Sequence, residues 1–219
     1  MENQKRFITV KGIGNASQSP DLIIIKMTLE TEDFDYEEVM IKASVSIQAI
    51  KNAIVSAGHD AKKLKTTNFN VETKYESYKH YESWKQKFSG YKIRHNLSLE
   101  FDLNMQILSD TLTAISRCNV KPNFNINFSV KNPSAVSEEL LKKAVEDASR
   151  KAEILVQATG STLGKVNRID YNWNDLYLFS DTKFQVLESP IMNEKITMDL
   201  MPDDIEVSDS ATIVWEILD

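Results

Sequence analysis

From Tyr91 to Leu103 the chain alternates without a break. Tyr91, Ile93, His95, Leu97, Leu99, Phe101 and Leu103 fall on one side; Lys92, Arg94, Asn96, Ser98, Glu100 and Asp102 fall on the other. A period of two belongs to a β-strand, so the segment reads as a long strand with one buried and one wet face. Such a strand belongs to an antiparallel sheet, because parallel sheets are covered on both faces and read as continuous apolar runs. The pattern recurs in Phe124, Ile126, Phe128 and Val130, in Ile23, Ile25, Met27 and Leu29, and in Ala211, Ile213, Trp215 and Ile217. Phe69, Val71, Thr73 and Tyr75 carry it more weakly. Phe7–Gly14 reads as a short opening strand, and another is expected near Val166–Asp170.

Helical spacing fills the gaps. Asp35-Tyr36-Glu37-Glu38 has the form of a capping box, with an N-cap acceptor and a glutamate three residues on. Val39, Ala43, Ile47, Ile50 and Ile54 follow as an apolar stripe, and Gly58 stands where a helix-ending glycine belongs. Met105–Arg117 is a shorter helix carrying Leu108, Leu112 and Ile115. Asn132-Pro133 opens a third with a cap and a proline at its first position. Leu140, Ala144, Ala148, Ala152 and Leu155 line one face of that helix, and Gly160 ends it. Its mixed charges, from Glu138 to Arg150, read as a solvated face.

The order from Leu22 to Lys131 is therefore strand, helix, strand, strand, helix, strand, the ferredoxin-like βαββαβ arrangement. The fold class expected is α+β: a ferredoxin-like unit with an antiparallel sheet at 22–131, and a second α+β layer built by both chain ends, 1–21 and 132–219. Together they make one domain wrapped by its own termini. From Trp173 to Asp204 the periodicity fails, and a connection that long is uncommon unless functional.

Composition narrows the chemistry. The chain has 219 residues, and its single cysteine, Cys118, excludes an intramolecular disulfide framework and any cysteine-rich metal site. Three histidines on separate elements make a zinc centre improbable, so no metal or cofactor is expected. A net charge of −6 argues against general binding of nucleic acid or anionic membranes. No apolar run approaches the ~20 residues of a membrane span. The stretch from Met1 to Lys11 lacks the apolar core of a signal peptide, which leads to a cytoplasmic expectation, or a periplasmic or cell-surface one if this is a mature form.

Several ordered motifs carry a resemblance. Ile8-Thr9-Val10-Lys11-Gly12-Ile13-Gly14 is followed by Ser19-Pro20-Asp21 and an aliphatic strand, and Leu64–Phe69 enters a later one. Phe124 through Asn132-Pro133, then Ala144-Val145-Glu146-Asp147-Ala148 and Arg150-Lys151-Ala152-Glu153, lead to Ala158-Thr159-Gly160 and Leu163-Gly164-Lys165-Val166. Ile205-Glu206-Val207-Ser208 closes the set. In this order they resemble the SIMPL-domain (YggE-like) family over almost the whole chain. The resemblance implies a bacterial protein without an established enzymatic activity or catalytic residues to carry over. It implies links to oxidative-stress defence, immunogenic envelope proteins or kinase-associated signalling, and a homo-oligomer, ring-shaped in at least one member. Many members of that family bear a signal peptide.

Among candidate sites, Gly12-Ile13-Gly14 lacks the third glycine of a dinucleotide loop and reads as a tight turn between strands. His95 reads as a partnered core histidine and Cys118 as a half-buried thiol. The most unusual segment is 74–87, which interleaves Tyr75, Tyr78, Tyr81 and Trp84 with Lys74, Lys79, Lys85 and Lys87. Aromatics with lysines can stack on single strands of nucleic acid, but equally make protein interfaces, where Tyr and Trp are enriched. No nucleic-acid partner is expected in so acidic a chain. The expectation is an oligomer interface formed by Tyr75, Tyr78, Lys79, Tyr81, Trp84 and Lys85 against Asp203 and Asp204, within an acidic stretch that also holds Asp199, Glu206 and Asp209. The function expected is non-enzymatic: a homo-oligomeric assembly with a stress-related or envelope-related role. The alternative is a small-molecule or peptide-binding module using a cleft under the loop 173–204.

Overall fold

The computed structural model describes residues 5–81, 83–172, 176–182 and 201–219. The elements in order are β1 (Arg6–Gln18), β2 (Leu22–Asp33), α1 (Tyr36–Ser56), a 3-10 turn at Ala61–Lys63, β3 (Leu64–His80), β4 (Ser83–Asp102), α2 (Met105–Arg117), β5 (Asn123–Ser129), α3 (Pro133–Ala158), β6 (Thr162–Tyr171) and β7 (Ile205–Leu218). The chain is α+β and divides into two compact units.

The first unit spans Asp21–Phe128, with the described residues of 182–202. Its sheet has the order β3-β4-β2-β5, the strand order of a ferredoxin-like unit. β4 is central and pairs antiparallel with both β2 and β3. The alternation read from the sequence sets the faces: Leu97, Leu99 and Phe101 are buried with Ile23, Ile25 and Met27 from β2, Ile50 and Ile54 from α1, and Leu108, Leu112 and Ile115 from α2, while Ile93 is buried with Val39 and Ala43 of α1. Each such side chain contributes about 1.5–3 kcal/mol by leaving water. The opposite face is a cross-strand ladder in which Glu30 accepts from Lys92 (2.8 Å) and Arg94 (3.0 Å), and Glu32 accepts from Lys74 (2.7 Å). These partners hold both carboxyls below the usual glutamate value. The alternation overreaches at one residue. β4 ends at Asp102, and Leu103 stands outside the strand with its N–H donating to Asp21 O.

Local signals fixed the helix ends. The Asp35 side chain accepts from the N–H groups of Glu37 and Glu38, but the box is only half formed, because Asp35 N–H donates to Asp33 Oδ1 instead of Glu38. At the other end Gly58 adopts φ 92°, with Gly58 N–H donating to Val55 O and His59 N–H to Ile54 O. That is the Schellman arrangement, and it turns the chain out of the helix without orphaned carbonyls. α3 ends the same way at Gly160.

The second unit comprises the described residues of 1–20, Ser129–Asp181 and Asp203–Asp219. Its sheet has the order β1-β7-β6, with β7 antiparallel to both neighbours, and α3 packs on it through Leu140, Ala144, Ala148, Ala152 and Val156. β1 runs from Arg6 to Gln18, longer than the short opening strand expected. Gly12-Ile13-Gly14 is mid-strand, not a turn. A Cβ on Gly12 would strike the Ala144 carbonyl and lie 2.7 Å from Ala148 Cβ; one on Gly14 would strike the Leu140 carbonyl. The glycines let β1 lie directly on the helix backbone. Ile13 N–H donates to Asp147 Oδ2 (2.9 Å), and Lys143 Nζ donates to Asn15 O (3.1 Å). Lys151 beside Asp147, and then the Ile13 amide, hold the Asp147 carboxyl at about 2. Part of the region read as an irregular connection is built in: Leu178 is buried with Val130, Val136, Leu140 and Ile205, and its carbonyl accepts from Ser129 Oγ at 2.7 Å.

Candidate functional site: a projecting aromatic ribbon

β2 pairs with β4 only as far as Asp33 opposite Tyr91. Beyond that point β3 and β4 continue alone, as paired positions from Lys74 opposite Gly90 to His80 opposite Ser83. A two-stranded ribbon is marginal by itself in water. Two devices hold this one at its base. The first is a bulge, where the register shifts between Lys74 and Tyr75 and Gly90 takes φ 125°. A Cβ at Gly90 would collide with Asp33 O, so only glycine lets β4 pass under the end of β2. The second is a chain of edge-on rings: Phe34 on Phe88 (5.4 Å), Phe88 on Tyr91 (5.3 Å), Tyr91 on Tyr36 (5.4 Å) and Tyr75 on Phe88 (6.0 Å). Each such pair adds about 0.5–1.5 kcal/mol beyond area burial.

The pairing register sorts the expected interface residues. Tyr75 stands opposite Phe88 and Lys79 opposite Trp84, so these share one face. Tyr78 stands opposite Lys85, and with Glu76, Lys87 and His80 they share the other. At the end Tyr81 takes φ 56°, the left-handed conformation that two-residue hairpin loops use. Tyr81 is 87% exposed and Trp84 72%. Lys79, Lys85 and Lys87 are exposed too. Lys74 is different, because its charge is engaged by Glu32. The ribbon's basic character therefore rests on the other three lysines.

Asp203 and Asp204 lie just before β7, in the other unit. Both are exposed; Asp204 Oδ1 accepts from Ser19 Oγ at 2.7 Å, and Asp203 O accepts from Ser180 Oγ at 2.8 Å. Asp209 accepts from Tyr171 at 2.5 Å, which raises the phenol pKa. Asp199, and the loop residues 173–175 and 183–200 that would cover the expected cleft, lie outside the described residues. Sequence reasoning missed Phe34, Tyr36, Phe88 and Tyr91 as one cluster. They are scattered along the chain, and only the β3–β4 register and the turn into α1 bring them together.

Two of the three histidines, His59 and His95, are buried and hydrogen-bonded. His59, only 8% exposed, places Nε2 2.6 Å from Thr111 Oγ1, whose hydroxyl donates to Ile107 O. The hydroxyl proton is thereby committed, and His59 carries its own on Nε2. His95, equally buried, pairs with Thr66 Oγ1 at 2.8 Å and meets the edge of Phe69. Burial, then Lys63 for His59 and Lys51 for His95, lowers both pKa values below 6.5. A lowered folded value means that the unfolded chain binds the proton first. Stability is then full above pH 6.5 and declines as pH falls below it. Chemical denaturation at pH 7.5 and pH 5.5 is expected to give a lower midpoint at pH 5.5, and His59→Gln is expected to shrink that difference. An undiminished difference in the variant would remove His59 from the account. Cys118 Sγ lies half-buried within reach of two acceptors for its single proton, Ile115 O (2.9 Å) and Val120 O (3.2 Å). Among the described residues no three His, Cys, Asp or Glu side chains converge as a metal set, and no helix is long and apolar enough to cross a membrane.

Two curated relatives share most of this chain. The 26 kDa periplasmic immunogenic protein of Brucella melitensis biotype 1 is 28% identical over 173 residues, covering 77% of this chain and 68% of its own. The protein of the same name from Brucella abortus strain S19 is 27% identical over the same extents. Both are named periplasmic, and this overturns the cytoplasmic expectation, which rested on the missing apolar core near Met1. That absence is no physical signal of compartment, because a leader peptide need not remain in a mature chain. The family model of SIMPL, described as a protein of unknown function (DUF541), matches residues 8–215, and the chain belongs to that family.

Proposed function

We propose that this chain is a non-catalytic envelope protein that works by assembling with copies of itself. The ribbon of one copy docks its aromatic and basic residues on the acidic stretch Asp203, Asp204 and Glu206 of the next. The observation that carries this reading is the ribbon itself, which holds Tyr81 and Trp84 in water beyond the sheet at the cost of their hydration. A monomer gains nothing from a braced arm with bare aromatic rings, whereas Tyr and Trp in such a setting supply the core of a protein interface. Three lysines on the arm and carboxylates on a separate unit give charge complementarity between copies. Because the two patches differ, the contact is heterologous, and repeated copies close a ring when the rotation allows. The periplasmic names of the relatives support the envelope assignment.

The test is solution mass by light scattering. Lys79→Glu, Lys85→Glu and Lys87→Glu together are expected to reduce the assembly, and adding Asp203→Lys and Asp204→Lys is expected to restore part of it. An unchanged mass in the triple variant would rule the ribbon contact out.

A further inference from the structure

The polar face of the β3-β4-β2-β5 sheet is built differently at its two ends. Toward the ribbon, Lys74, Lys92 and Arg94 are each tied to Glu30 or Glu32. In the middle, Thr28 Oγ1 donates to Asn96 Oδ1 at 3.1 Å. One row further along β4 stands Ser98, with Lys26 of β2 opposite it on one side and Lys65 of β3 on the other. The stems of two long neighbours cover a short side chain between them, and Ser98 is only 7% exposed. Its hydroxyl has no hydrogen-bond partner among the described residues. His59, His95, Thr111 and Ser129, which are buried to a like degree, all have one. A covered hydroxyl left without a partner is unfavourable and calls for an explanation.

Ser98 lines a dent of about 270 Å³ together with Lys63, Lys65 and Glu100. The three charged residues are exposed, and none has an ion-pair partner among the described residues. Two ammonium groups and a carboxylate therefore surround one free hydroxyl without neutralising one another. Glu100 follows Ser98 by two positions, about 6.7 Å along the strand, so the dent has a donor end and an acceptor end. A simple anion would fill the donor end and face the Glu100 carboxylate as a like charge. A molecule carrying both charges satisfies every group that lines the dent. The volume lies below the range of about 300–1,000 Å³ that drug-sized ligands occupy, which fits one small molecule. We propose that the dent binds a small zwitterion of the amino-acid class. Its carboxylate accepts from Ser98 Oγ and from the ammonium groups of Lys63 and Lys65, and its ammonium donates to Glu100. This site is separate from the ribbon and does not depend on the assembly argued above.

The test is an amide chemical-shift titration of the isotope-labelled full chain with three probes: L-alanine, propionate, which lacks the ammonium, and L-alaninamide, which lacks the carboxylate. L-Alanine is expected to shift the amides of Lys65, Ser98 and Glu100 saturably, and each of the other two to bind about tenfold more weakly, as the loss of a charged hydrogen-bonding group predicts. Ser98→Ala is expected to weaken L-alanine binding by about tenfold. Glu100→Gln is expected to erase the preference for L-alanine over propionate, and because Glu100 is exposed this variant keeps the fold whether or not Ser98→Ala does. The ribbon variant Lys79→Glu/Lys85→Glu/Lys87→Glu is expected to bind L-alanine as the native chain does, so failure of the ribbon contact is told apart from failure of this site. Propionate binding as tightly as L-alanine would make the dent a plain anion site. Either that result or the lack of a saturable shift with L-alanine overturns the proposal.

Discussion

Gly12→Ala is expected to destabilise the fold by about 3 kcal/mol or more, at or beyond the upper end for overpacked sites. The added methyl meets the carbonyl oxygen of Ala144, which belongs to the helix backbone and cannot rotate away. β1 would have to lift from α3, weakening the contacts of Val10 with Ala148, Ala152 and Trp215. Ala148→Gly in the same chain removes the methyl–methyl contact but not the carbonyl, so rescue is partial. Ile13→Ala, one residue along on the exposed side, is expected to change stability by about 0.5 kcal/mol or less. Urea midpoints of the three variants check this. A Gly12→Ala midpoint close to that of the native chain would show that the strand and helix are not in backbone contact.

The second large effect is expected at Phe128. It is fully buried at the end of β5, among the largest enclosed side chains, and packs with Ile126, Leu108, Leu112 and Ile115. Phe128→Ala is expected to cost about 3–5 kcal/mol, lost transfer energy plus the cavity left behind. Phe128→Leu keeps most of the volume and is expected to cost about 1.5 kcal/mol or less. β5 is a seven-residue edge strand, so side-chain anchoring carries much of its attachment. A fall in midpoint with an unchanged denaturant slope identifies a cavity effect; a reduced slope identifies loss of the strand from the native state.

The regular architecture was legible because each buried face has its own period. Ile23, Ile25 and Met27 and the run from Ile93 to Phe101 announce their strands, and Asp35, Asn132, Gly58 and Gly160 announce helix ends through local hydrogen bonds. What escaped depends on contacts far apart in the chain. Gly12 and Gly14 read locally as a turn, because glycine's tolerance of bends and its lack of a Cβ look alike until the helix above is known. The ribbon was visible as a composition, but its two faces and the brace of Phe34, Tyr36, Phe88 and Tyr91 required the pairing register.

The bonds from α3 to β1 have one more consequence. β1 is an edge of its sheet, and a long unpaired edge invites a strand from another molecule. Asp147 and Lys143 occupy an amide and a carbonyl that such a strand would need, so the helix acts as a sentry against uncontrolled fibre-like growth. Asp147, held at about 2 by Lys151 and the Ile13 amide, stays charged throughout the neutral range, so its half of the guard keeps its full strength there. The same two bonds that seat the helix thus close part of one sheet edge to disordered association.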